Sequence, residues 1–156
     1  MDAQTKQLVK PLENLYAKAP ALPVGAREFI VSIAPWVALI LGILSVVGFA
    51  LSLLGWGTLA TLAPLAAGMH VGFTGLLLVA SVLGLVAGVL YLLAFQPLKK
   101  RALKGWNLLF WVLLINAVSA VVSGVAIFFN PFSIVWALIW LAIELYFLLQ
   151  VKSYYK

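Results

Sequence analysis

Long apolar runs alternate along the chain with short segments rich in charge, proline or glycine. Four runs stand out, at 29–54, 71–95, 106–129 and 132–151. The first would reach about 39 Å as one helix, where a bilayer core needs about 30 Å. Pro35 suits a first helical turn, in which its missing N–H is no loss. The membrane helix is therefore expected to begin near Ala34, with 29–33 at the interface; a longer helix kinked at Pro35 is the alternative. The second run is expected to end at Gln96-Pro97, because proline disfavours helical geometry in the residue before it. Asn130-Pro131 leaves room only for a tight helical hairpin between the third and fourth runs.

Between the first two runs lies 55–70, with Gly55, Gly57, Pro64 and Gly68 as breakers. It is uncharged and still apolar at Leu59, Leu62 and Leu65. This predicts a membrane-surface loop or a short re-entrant turn, with His70 as a solvated loop residue. Ahead of the first run, Leu8, Leu12, Leu15 and Tyr16 recur at helical spacing. With Pro11 as a helix start, they predict a short amphipathic helix over 11–19 on the inner leaflet. A disordered tail is the alternative.

Composition turns these runs into membrane spans. The chain has 156 residues, 65% hydrophobic and only 9% charged, with a mean hydropathy of +1.17. A soluble domain is about half apolar and about a quarter charged, so the solvent for this surface is expected to be lipid. The first 28 residues are polar, and the run behind them is too long for a signal-peptide core. The first helix is expected to be an uncleaved anchor. Without cysteine, disulfides, thiolate metal sites and cysteine nucleophiles are excluded.

Charge supplies orientation. The ten basic residues are Lys6, Lys10, Lys18 and Arg27, then Lys99, Lys100, Arg101 and Lys104, then Lys152 and Lys156. With four spans, those three groups share one side, which the positive-inside rule makes cytoplasmic. The expected fold is all-α and integral to the membrane: a four-helix bundle of two tandem hairpins, both termini inside, with a short interfacial helix in front. The expected location is the plasma (inner) membrane. Trp36, Tyr91, Trp106, Trp111 and Tyr146 lie towards the inner ends, and Trp56 and Trp136 towards the outer, as an aromatic belt would have them. Trp140 is deeper and is expected between helices.

Laying the first span on the third pairs Trp36-Val37 with Trp111-Val112 and Val46-Val47 with Val121-Val122. Small residues then coincide, Gly42 with Ala117 and Gly48 with Ser123. This is the pattern of a parallel repeat about an axis along the membrane normal, although chance matches are common in such apolar sequence.

Chemistry is scarce. Four acidic residues and one histidine leave too few groups for most active sites, and no zinc ligand set or phosphate-binding glycine loop is present. No enzyme activity, cofactor or metal is expected. Glu144 stands out, about 10 Å from the inner end of the last span, because an intramembrane carboxylate is a candidate functional group by default. It could couple protons or cations; it could instead, protonated, bond to Asn116, Tyr91 or a backbone carbonyl; or it could reach the interface near Lys99, Lys100 or Lys152. Asn116, Ser119 and Ser123 form a polar stripe on the third span. Ser45, Gly48, Ser52 and Gly55 form one on the first, and Ala80, Gly84 and Gly88 make a small-residue ladder on the second. Packing is the default reading of all three.

The cluster Lys99, Lys100, Arg101 and Lys104 is expected to set topology and to hold anionic headgroups or an acidic partner. A net charge of +6 would suit nucleic acid in a soluble protein; beside membrane spans, anionic lipid is the counter-charge and no nucleic acid is expected. The leading expectation is a membrane protein that works by association, as scaffold, accessory subunit or regulator, in a homo-oligomer or larger complex. The alternative is a small oligomeric transporter or channel that uses Glu144.

Overall fold

The computed structural model describes residues 3–62, 71–128 and 131–156. Among these every regular element is a helix: α1 (Ala3–Tyr16), α2 (Val24–Leu62), α3 (Val71–Lys99), α4 (Leu103–Phe128) and α5 (Pro131–Gln150), with a final 3-10 turn at Lys152–Tyr154. The helices α2 to α5 each contain a stretch long and apolar enough to cross a membrane. The outward faces of α2, α3 and α5 carry exposed Leu, Ile, Val, Phe and Trp side chains along most of their described length, and α4 adds Val118 and Val121. A contiguous apolar surface on that scale requires lipid around it. The chain is a multi-pass membrane protein.

The boundaries differ from the sequence expectation in instructive ways. Helix α2 runs unbroken through Pro35, so the longer helix forms and the start near Ala34 does not. Its 39 residues make roughly 58 Å, about twice the hydrocarbon thickness. At its far end α2 passes through Gly55 and Gly57 to Leu62, into the segment expected to be a loop. An isolated helical glycine costs only about 1 kcal/mol relative to alanine, and its neighbours here are good helix formers such as Leu53, Leu54 and Leu59. Pro64, Gly68, His70 and the re-entrant question lie outside the described residues, as does Asn130. Pro131 opens α5, the position where proline costs least.

Helix α1 begins at Ala3, ends at Tyr16 and carries Pro11 in its interior, so the expected start at Pro11 is corrected. Its inward face is Thr5, Val9, Leu12 and Tyr16, with Thr5 and Val9 fully buried and the other two packed on the core. Leu8 and Leu15 point away and are exposed. The helix docks on protein rather than lying on lipid through its leucines. Tyr16 donates its hydroxyl to the Ala142 carbonyl at 2.9 Å. The Tyr146 hydroxyl donates to the Pro20 carbonyl, and Lys152 pairs with Glu13.

Neighbouring spans run antiparallel. Across α2 and α3, Trp36 meets Phe95, Gly42 faces Leu92 and Gly88 faces Ser45. A Cβ on Gly88 would stand 2.8 Å from Ser45 Cβ, so glycine is what permits the backbones to come this close. Gly48 and Gly84, expected at helix contacts, face open space. The most extensive packing joins α3 to α4 and α2 to α3, with α5 joined more lightly to α4. The strongest contact therefore falls between the two expected hairpins, not within either of them.

One end of the molecule gathers α1, the α3–α4 connection and the C-terminal tail. Helix α3 continues through Pro97 to Lys99, beyond the expected stop at Gln96. It is closed by bonds from Arg101 N–H to Leu98 O (2.9 Å) and Ala102 N–H to Pro97 O (2.8 Å). That is a Schellman cap, and it places Arg101 at φ 51°, where glycine is the usual residue. The tail locks the connection: Lys156 N–H donates to Arg101 O, and Leu103 N–H donates to Lys156 O. Beneath it lies the best-packed core, with Trp106, Phe110, Leu98 and Val9.

Candidate functional site

The spans close incompletely. Between α2 and α5 runs an apolar cleft of about 280 Å³, walled by Ile33, Val37 and Leu41 on one side and Phe147 and Leu148 on the other. Leu109 and Leu113 of α4 and Tyr91 of α3 form its floor. Glu144 lines it from α5, and its side chain is exposed at the protein surface. Among the described residues the carboxyl group has no hydrogen-bond or ion-pair partner. The site is set by helical geometry: Glu144, Phe147, Leu148 and Val151 share one face of the last turns of α5. That face looks at α2 across the opening.

Of the partners foreseen for Glu144, Asn116, Lys99 and Lys152 are engaged elsewhere, while Tyr91 lines the same cleft. Asn116 donates its amide to the Tyr91 hydroxyl at 3.4 Å, so this bond joins α4 to α3 instead of reaching α5. Lys99 sits over the rings of Trp36 and Phe95, at 5.7 and 5.9 Å. Lys152 is held by Glu13 and lies 5.4 Å over the Trp106 ring. Ser119 donates to the Ala80 carbonyl of α3 at 3.2 Å, an interhelical bond of the kind small polar residues make in membranes. Ser123 is half-buried on α4. Lys100, Arg101 and Lys104 are exposed around the α3–α4 connection. The polar stripe on α4 is thus a seam to α3 at Asn116 and Ser119, and it reaches the acid's cleft only through Tyr91.

Trp106 stands in the first turns of α4, at the basic end, but is covered by protein, and Trp140 is not packed between helices. Trp106 is fully buried and donates its indole N–H to the Leu148 carbonyl at 2.8 Å. Trp140 is 49% exposed and meets Trp136 edge-on, which in turn stacks on Phe132. These three make an aromatic ladder along the outward face of α5.

A second cavity, of about 580 Å³, lies at the basic end between α1, the start of α2 and the end of α5. Glu13, Tyr16, Arg27, Tyr146, Gln150, Lys152, Ser153 and Tyr155 are its polar lining. Tyr155 belongs to both cavities. Its hydroxyl is buried without a hydrogen-bond partner, as is Nε of Arg27. Burial pushes the Tyr155 phenol up, and the nearby Arg101 charge opposes that. Neither Arg27 nor Tyr155 had a signal in the sequence, since a basic residue and a tyrosine near span ends are the usual interfacial pattern. Among the described residues no group of three or more His, Cys, Asp or Glu side chains could hold a metal.

Fold and cavities define a multi-pass membrane protein with a laterally open cleft and an adjoining polar cavity. No protein-family model matches the chain, and no characterised protein or solved structure is similar to it at a significant level.

Proposed function

We propose that this protein works by association within the membrane, as a scaffold, accessory subunit or regulator. Its α2–α5 cleft receives one transmembrane helix of a partner protein. The observation that carries this reading is Glu144, an acid without a partner in a cleft whose other walls are almost wholly apolar. A polar cavity shared among helices would have favoured transport; an apolar groove open to the side favours a helix. An unpaired carboxyl group at that depth is costly, and a lysine or arginine on the incoming helix would offset the cost. A second copy of this chain offers no such residue, because its spans carry no basic side chain at the depth of Glu144.

Because the chain has no cysteine, single-cysteine crosslinking in native membranes is a clean test. Val37→Cys, in the cleft, is expected to give a discrete adduct, and Val135→Cys, on the exposed face of α5, none. Adding Glu144→Gln to Val37→Cys should remove the adduct. An adduct that survives the glutamine change, or that forms equally from Val135→Cys, sinks the proposal. An adduct of twice the chain mass would point to a second copy instead.

The second reading is a small oligomeric transporter or channel with Glu144 as its proton- or cation-coupling group. Tyr155 favours it, since this one side chain lines both the cleft and the polar cavity. Glu144-dependent flux in vesicles holding only this protein would support that reading and overturn the first.

We assign the basic end to the cytoplasm, on the distribution of the ten basic residues and the positive-inside rule, and the membrane to the plasma (inner) membrane. A reporter tag inserted within 63–70 should be accessible only from outside the cell. Labelling of that tag from the cytoplasm would reverse the assignment.

A further inference from the structure

Two donors beside the cavity at the basic end, on Arg27 and Tyr155, lack an acceptor. Arg27 enters it from the first turn of α2, and among the described residues its guanidinium has no ion-pair partner. Its Nε is buried and unbonded. Tyr155, only 5% exposed, brings a second unbonded donor. Lys152 and Glu13 neutralise each other at the rim, so the charged groups that line the space leave one net positive charge, that of Arg27. Arg101, close enough to influence the Tyr155 phenol, adds to the positive field. An unpaired, half-buried guanidinium is costly unless an acceptor meets it. The volume of about 580 Å³ falls within the usual range for small-ligand sites.

We propose that this cavity binds a phosphate group, taken in by Arg27 and Tyr155. The guanidinium fork matches two phosphate oxygens at once, and the Tyr155 hydroxyl supplies a third donor. Gln150 donors are also at hand, although its Oε1 accepts from Leu22 N–H at 3.4 Å. Two sources share this chemistry: the headgroup of an anionic phospholipid, and a soluble phosphate compound. Lys99, Lys100 and Lys104 are exposed and do not line this cavity.

The test uses the whole protein in detergent, with native mass spectrometry after addition of phosphatidylglycerol or phosphatidylcholine, and thermal unfolding in inorganic phosphate against chloride. Retention of phosphatidylglycerol over phosphatidylcholine identifies the lipid source. A rise in unfolding temperature with inorganic phosphate and no such retention identifies the soluble one. In either case Arg27→Gln should weaken the effect about tenfold, the scale of one charge-assisted hydrogen bond, and Lys100→Gln should not change it. Should Arg27→Gln fail to fold, Tyr155→Phe removes one donor and is expected to weaken binding by a smaller factor. No retention and no thermal shift in the wild type overturns the proposal. So does an equal loss from Lys100→Gln, or full binding in both Arg27→Gln and Tyr155→Phe. Glu144→Gln should leave phosphate binding intact, which separates this result from the fate of the cleft.

Discussion

Trp106→Ala is expected to lower stability by about 3–5 kcal/mol, the range for deleting a fully buried large aromatic side chain. The indole is the largest of the fully buried side chains. It stacks on Phe110 with ring centroids 5.7 Å apart and carries the Lys152 ammonium 5.4 Å above it. Its N–H also satisfies Leu148 O, a carbonyl in the last turn of α5 that has no intrahelical partner. Removing the ring therefore opens a void and strands an acceptor together. Trp106→Phe separates the two effects: it keeps most of the packing and leaves Leu148 O unbonded, for about 1–3 kcal/mol. Reversible unfolding in one detergent, followed by circular dichroism, measures both. An alanine variant as stable as the wild type, or a phenylalanine variant less stable than the alanine one, would refute this account.

Trp106 also shows where sequence reasoning stops in a membrane protein. Hydropathy located every span, because length and apolarity are what a bilayer demands. It did not tell which side of a span faces protein, since lipid accepts apolar side chains as readily as a core does. Trp106 reads as an inner-end aromatic whether lipid or protein covers it, and protein does, while Trp140 is expected between helices and is half exposed. Breakers misled for a related reason. Pro35, Gly55 and Gly57 lie inside α2, because apolar surroundings offer a broken helix no water for its freed backbone groups; Pro11 and Pro97 also lie inside helices. The stop after α3 is a cap on Arg101, a residue with no preference for that conformation, and the tail bonds that lock it come from Lys156, far along the chain. Glu144 was legible as the outstanding residue, since any carboxyl group in a span is. Its surroundings were not: Asn116 turns to Tyr91, and Tyr155, which joins the two cavities, meets there an Arg27 from the far end of the chain.

Gly105→Ala and Gly84→Ala are expected to move stability in opposite directions, although both replace a helical glycine in a membrane helix. At Gly105 a Cβ would stand 2.7 Å from the backbone nitrogen of Leu98 and 2.9 Å from the carbonyl carbon of Pro97. Those atoms belong to the capped end of α3, and Leu98 is itself buried at 1% exposure, so no flexible side chain can swing aside. Helices α3 and α4 must part where they turn, at about 1–3 kcal/mol for the overpacking. The Arg101–Lys156 lock and the neighbouring Trp106 would be disturbed with them. At Gly84 a Cβ would meet nothing within 4 Å, so alanine there gains about 1 kcal/mol of helix propensity. The backbone preference favours alanine at both sites, and only the contact at Gly105 overrides it. Thermal unfolding of the two variants beside the wild type, in the same detergent, should rank Gly84→Ala highest and Gly105→Ala lowest. Any order with Gly105→Ala at or above the wild type would mean that the close approach of α4 to the end of α3 does not hold this end of the molecule together.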